Sequence, residues 1–198
     1  MTKLQFWYDL ASNYSYLSAM RIESLAAERG ISIEWKPFLL GPIFAAQGWN
    51  TSPFNIYPAK GRNMIRDMER TCALRGLPFQ MPEPFPQNSL LAARLALIGE
   101  EEGWAAAFSI ALFRREFGEG ASLTDKAVIA GALQEAGQTA DAVMPRAEDP
   151  AIKQRLRTRG EEAQALGIFG APSFITEDGE LFWGDDRLEQ ALAWMPRR

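Results

Sequence analysis

Between residues 4 and 8 apolar Leu4, Phe6 and Tyr8 alternate with Gln5 and Trp7, a period of two that predicts a strand. After Asp9 the pattern changes. From Tyr16 onward Leu17, Met20, Ser24 and Leu25 recur at helical spacing, until Gly30 supplies a stop signal. A second alternation, Ile31, Ile33 and Trp35, ends at Pro37. Residues 4 to 36 therefore read as strand, helix and strand, a unit that favours a parallel pair with a right-handed crossover. From Leu39 to Pro58 the chain is rich in Gly, Pro, Asn and aromatic residues without a clear period, which predicts a long surface loop. Loops of that length are usually functional. Helical spacing returns over residues 61–75, 88–102, 104–117, 125–136 and 149–166, the last opened by Asp149-Pro150. Two further strands, residues 173–176 and 180–183, flank a Glu177-Asp178-Gly179 turn, and a final helix begins near Asp186.

The order is thus β-α-β, a helical block, then β-β-α. With both ends contributing to one four-stranded sheet, this is an α/β chain of thioredoxin-like arrangement carrying an all-helical insertion. At 198 residues one such domain is expected over the whole chain, with residues of about 61–148 as the insertion.

The composition, 47% apolar and 23% charged, allows a sizeable core and is far from that of disordered or disulfide-dense chains. A net charge of -4 without any Lys/Arg-rich run argues against nucleic acid as a partner, because phosphate binding needs a clustered basic surface. The longest strongly apolar stretch, Trp104 to Phe113, is shorter than the roughly 20 residues that cross a bilayer, so no membrane partner is expected. Met1-Thr2-Lys3 leads straight into the first strand pattern rather than a signal peptide, and a cytoplasmic location is expected. There is no histidine, which excludes Ser-His-Asp and Cys-His catalysis and His-based metal ligation. The single cysteine, Cys72, can form no intrachain disulfide, and its spacing from Met64 and Met68 puts it on the buried stripe of a helix.

Two places carry candidate chemistry. Ser12 and Ser15 sit where the first strand turns into the first helix, with backbone N–H groups unpaired and the helix dipole positive. A thiol-redox protein would place Cys-x-x-Cys there; serine cannot cycle through a disulfide, but it can donate a hydrogen bond to a thiolate brought in by a ligand. The plainer reading is that Ser12 caps the helix. The second place is Gly170-Ala171-Pro172, just before the C-terminal hairpin. X-Pro bonds are cis in only about 5% of cases, which favours an ordinary turn proline. In a thioredoxin-like chain, by contrast, a cis proline stands at this point, facing the active helix.

A series of separated motifs gives the chain a family likeness. Phe6-Trp7-Tyr8-Asp9 is followed by Ser12-Asn13-Tyr14-Ser15-Tyr16-Leu17, by Lys36-Pro37 with Leu40-Gly41, and by Pro86-Gln87-Asn88-Ser89-Leu90. Phe169-Gly170-Ala171-Pro172 and Phe182-Trp183-Gly184-Asp185-Asp186-Arg187-Leu188 close the series. In these residues and their order the chain resembles the 2-hydroxychromene-2-carboxylate isomerases and the closely similar kappa-class glutathione transferases, over nearly its whole length and with a DsbA-like thioredoxin fold. The resemblance implies glutathione as cofactor, a small aromatic substrate with a pyruvate-like side chain, reversible thiolate addition and a homodimer. It implies that Ser12 holds the glutathione sulfur and that Tyr14 lines the same turn. Asn50 and Lys60 match polar positions used on glutathione. Ala171, before Pro172, would pair with the cysteinyl part, and Asp185 and Asp186 would approach the γ-glutamyl end. Trp7, Phe44, Trp49 and Phe54 are available to wall the substrate, although core or loop packing explains them as well. One residue departs from the pattern: Asn13 stands where the family usually has proline. Lys60 and Arg62 on a solvated face, and Asp186 as a helix cap, are the plainer readings of those residues. The alternative activities are a kappa-like glutathione transferase or peroxidase, and a non-catalytic binding module of the same fold. A disulfide oxidoreductase is disfavoured by the one cysteine lying outside the turn.

Overall fold

A computed structural model describes residues 2–195. Its four-stranded sheet has the order β2-β1-β3-β4. Strand β1 (Thr2–Tyr8) runs parallel to β2 (Ile31–Pro37) on one side and antiparallel to β3 (Ser173–Ile175) on the other, and β4 (Leu181–Trp183) pairs antiparallel with β3. Being interior, β1 is buried on both faces. Leu4, Phe6 and Tyr8 enter the main core, whereas Trp7 enters a second cluster with Phe38, Ile43 and Ile175. Phe6 stacks on Phe174 at 5.6 Å and meets Trp35 edge-on at 5.0 Å, which fixes the register across three strands. This topology brings the ends of β1, β2 and β4 and the start of β3 to one edge of the sheet, and the site lies there.

The helix predicted from Tyr16 to Gly30 is two helices, α1 (Asn13–Ala19) and α2 (Ile22–Ala27). The break comes at Arg21, whose φ of -137° leaves the helical region. Its guanidinium there reaches Asp185 and Glu189, contacts far away in sequence. The segment from Leu39 to Pro58, predicted as a loop, folds into α3 (Leu40–Ala46) and α4 (Pro53–Ile56). The first N–H of α3 is held at 2.8 Å by Asp9 Oδ2, so its cap comes from the end of β1 and leaves no local signature. Helix α5 (Pro58–Arg75) opens on proline, before the predicted residue 61, and stops at Gly76, whose φ of +65° suits glycine.

The rest of the helical block comprises α6 (Leu90–Glu102), α7 (Ala105–Phe113), α8 (Lys126–Glu135), α9 (Ala140–Val143) and α10 (Pro150–Ala165). A π-helical turn, Arg114–Gly118, continues α7. Helix α9 and the 3-10 turn after it, Met144–Glu148, carry no predicted counterpart. The final helix, α11 (Leu188–Trp194), follows a 3-10 turn at Asp185–Arg187, so Asp186 lies in that turn rather than capping the helix. One cluster of buried side chains runs from the sheet through Tyr16 and Leu17 of α1 to Met64, Met68 and Cys72 of α5 and to Phe108, Leu112 and Phe113 of α7. Among the described residues, no helix is long and apolar enough to cross a membrane.

Candidate active site

Asp9, directly after β1, is 5% exposed, and its carboxylate ties the neighbouring elements together. Oδ1 accepts the Ala11 N–H at 2.9 Å and the Ser89 hydroxyl at 2.7 Å, while Oδ2 accepts the Leu40 N–H. Burial pushes its carboxyl above the usual range, against the pull of these donors. The chain thus leaves the strand through a turn that is held at its base.

Ser12 follows in extended conformation (φ -97°, ψ 113°), as a helix cap requires, and its Oγ accepts the Ser15 N–H at 3.2 Å. The same hydroxyl donates to the Ala171 carbonyl at 3.1 Å. Capping and contact with the Pro172 loop are therefore functions of one oxygen. The Ala171-Pro172 bond is cis, and the Pro172 carbonyl accepts the Gly184 N–H at 3.0 Å, which joins the loop to the residues after β4.

Around this point lies a cavity of about 1110 Å³, lined by Ser12, Asn13, Tyr14, Asn50, Lys60, Ala171, Pro172, Asp185 and Asp186. It exceeds the roughly 300–1,000 Å³ of common ligand pockets, which leaves room for two small molecules side by side. The residues around it differ in how free they are. Tyr14 donates its hydroxyl to Asp67 at 2.9 Å, and burial together with that carboxylate pushes its pKa well up, so its proton is directed at α5 and away from Ser12. Asn13, 1% exposed, donates to Met64 Sδ at 2.6 Å. Asp185 is engaged from three sides: Oδ1 takes the Ser18 hydroxyl at 2.9 Å and Arg21, and Oδ2 takes Arg75 at 2.7 Å. Asp186 lies at the rim, its side chain 74% exposed beside Arg187. The Lys60 ammonium sits 4.8 Å over the Tyr57 ring.

Phe44 and Trp49, 5.8 Å apart, wall the cavity on the β2 side together with Phe54. Trp7 does not join them. It is completely buried on the opposite face of β1, with its indole N–H on Gln5 and Arg159 over its ring, because alternate strand residues point to opposite faces. Residues that the sequence reading did not single out complete the lining. Asp67, Thr71 and Arg75 recur every four positions and so present one face of α5 to the cavity; that spacing is the signal that could have found them. Phe169 and Trp183 line it on the β4 side.

The family described as DSBA-like thioredoxin domain matches residues 3–193. The chain belongs to this DsbA-like family. Within it, a 2-hydroxychromene-2-carboxylate isomerase of Sphingobium xenophagum is 32% identical over 192 residues, 96% of this chain and 96% of that protein. The human glutathione S-transferase kappa 1 is 25% identical, over 94% of this chain and 87% of its own. A solved structure of a 2-hydroxychromene-2-carboxylate isomerase superposes with a TM-score of 0.86 at 26% identity, covering 96% of this chain and 93% of that one. The DsbA-like chain described here thus shares its fold over nearly its whole length with that isomerase structure.

Proposed function

We propose that this protein is a glutathione-dependent isomerase of 2-hydroxychromene-2-carboxylate or a related aromatic pyruvate-type compound. The observation that carries the reading is the Ser12 hydroxyl, held between the start of α1 and the Ala171 carbonyl beside Pro172 and opening onto a cavity large enough for two ligands. The turn contains no thiol, and Cys72 is buried in α5 with its own thiol pushed up to about 11 by burial, so a sulfur nucleophile has to be borrowed. Glutathione would supply that sulfur, adding to an electrophilic carbon and leaving again, so that the thiol is regenerated.

The residues present fit such a group. Lys60 offers a cation to a carboxylate, Asp186 an exposed carboxylate, shared on one oxygen with Arg187, to an ammonium, and Asn50 an amide to either. Ala171 offers its carbonyl to a peptide N–H. When a ligand N–H takes that carbonyl, the Ser12 hydroxyl is released from it and can turn its one proton to the sulfur while still accepting the Ser15 N–H. Asp185, already shared by two guanidiniums, contributes by holding α1 and α5 around the site. Phe44, Trp49 and Phe54 would wall the substrate on the β2 side.

Removing the Ser12 donor costs a charge-assisted hydrogen bond of about 1.5–3 kcal/mol, or about one to two pH units in the pKa of the bound thiol. Ultraviolet titration of the glutathione thiolate on Ser12→Ala is expected to show that rise, while Tyr14→Phe, whose hydroxyl faces Asp67, leaves the titration in place. An unchanged thiol pKa in Ser12→Ala refutes the role given to Ser12. The kappa-class likeness supports a second reading, transfer of glutathione to an electrophile. Consumption of the thiol during turnover would identify it, whereas isomerisation leaves the thiol concentration constant. Absence of saturable glutathione binding in calorimetry would favour the non-catalytic module.

A further inference from the structure

Phe169 and Trp183 are 46% and 52% exposed, in a chain that completely buries Phe6, Trp7 and Phe174. Their rings touch, with centroids 4.9 Å apart at an interplanar angle of 56°. Both face the cavity. The strand order puts them on the β4 side of the Ser12 turn, away from Phe44 and Trp49, which follow β2.

The position of the indole is fixed by Gly170. A Cβ on that residue would lie 2.3 Å from Nε1 of Trp183 and 3.0 Å from Cε2, so the ring rests directly on the Gly170 backbone and any side chain there would displace it. Gly170 adjoins Ala171, about 3.8 Å along the chain, and the Ala171 carbonyl is the one that meets the Ser12 hydroxyl. The indole is therefore anchored next to the backbone that meets the Ser12 hydroxyl. Apolar rings left in water at the wall of a cavity lower the free energy most when a second apolar surface covers them. The two aromatic groups stand beside the Ser12–Ala171 contact and carry no charge themselves, so their exposed faces suit a planar apolar group.

We propose that Phe169 and Trp183 form an aromatic shelf that binds a planar aromatic group carried on the sulfur held at Ser12, and so select aromatic over aliphatic electrophiles. This rests on the glutathione reading of the same site. Its test compares two stable conjugates, S-methylglutathione and S-benzylglutathione, by calorimetry and by quenching of tryptophan fluorescence. The parent protein is expected to bind the benzyl conjugate more tightly. Trp183→Ala is expected to weaken the benzyl conjugate about tenfold, the size of one good aromatic contact with its buried area, and to leave the methyl conjugate unchanged. Phe169→Ala gives a smaller loss of the same kind, and Trp183→Phe restores most of the benzyl affinity. Retention of the benzyl preference in Trp183→Ala overturns the shelf. Equal weakening of both conjugates overturns it too, since it makes Trp183 a support for the loop. Failure of the parent protein to bind either conjugate refutes the glutathione reading itself, and the shelf with it.

Discussion

Glu116 is the ionisable side chain least suited to its surroundings. It lies in the π-helical turn after α7, is fully buried, and neither carboxyl oxygen has a hydrogen-bond partner among the described residues. Burial, assisted by the charge of Asp9, pushes its pKa well above the usual carboxylate range. The native protein therefore holds a proton that the unfolded chain releases above about pH 4.3. Because the native state binds the extra proton, stability falls as pH rises from there toward the raised native value, with a limiting slope of about 1.4 kcal/mol per pH unit. Glu116→Gln keeps the shape of the side chain and abolishes the titration. The stability difference between the variant and its parent is thus expected to widen by up to about 2.7 kcal/mol between pH 5 and pH 7. For a chain of this size that corresponds to about 5–11 °C in Tm. Differential scanning calorimetry at pH 5, 6 and 7, or urea unfolding at the same values, reads the effect directly. A difference independent of pH refutes the neutral buried carboxyl.

Asp185→Asn removes the one carboxylate shared by Arg21 and Arg75, leaving two partly buried guanidiniums facing each other, and is expected to cost about 3–5 kcal/mol in urea unfolding. A loss below about 0.5 kcal/mol, the level of an ordinary surface change, refutes the clamp. Cys72, with its thiol pushed up to about 11, is expected to resist Ellman's reagent at pH 8 in the native protein and to react fully in urea; rapid native reaction would place it outside the core.

What could be read from the sequence followed from how far each feature depends on distant residues. The strands and most helices are legible because their apolar period is set by the core they face, as in Leu4, Phe6 and Tyr8 or in Met64, Met68 and Cys72. Helix α3 was not legible, because its first N–H is held by Asp9 across thirty-one positions, and a search for local caps does not see such a contact. The break between α1 and α2 depends likewise on Arg21 meeting Asp185, 164 residues away. In the site, the lining positions of Ser12, Tyr14, Asn50, Lys60, Ala171 and Pro172 were legible through the motifs, whereas the engagement of Asp185 by two arginines was not. Trp7 shows the opposite error. It belongs to a motif that ends in the cavity-lining Asp9, but a strand residue follows the face dictated by its parity, and Trp7 faces the second cluster.

The same contrast bears on Asn13, the departure from the family's motif. Proline at the first helical position fixes φ in advance, so its absence removes a local constraint on the direction of the Ser12 hydroxyl. In this chain the turn is constrained from outside instead. Asp9 holds the Ala11 N–H, the Ser12 oxygen holds the Ser15 N–H, and the Asn13 amide is pinned to Met64 of α5, where a proline would have no donor to offer. Each of these contacts acts on a different residue of the turn, and the residues between them have little freedom left to lose. The hydroxyl keeps its place through the packing of α1 against α5, and a proline at position 13 would exchange that tertiary anchor for a local one.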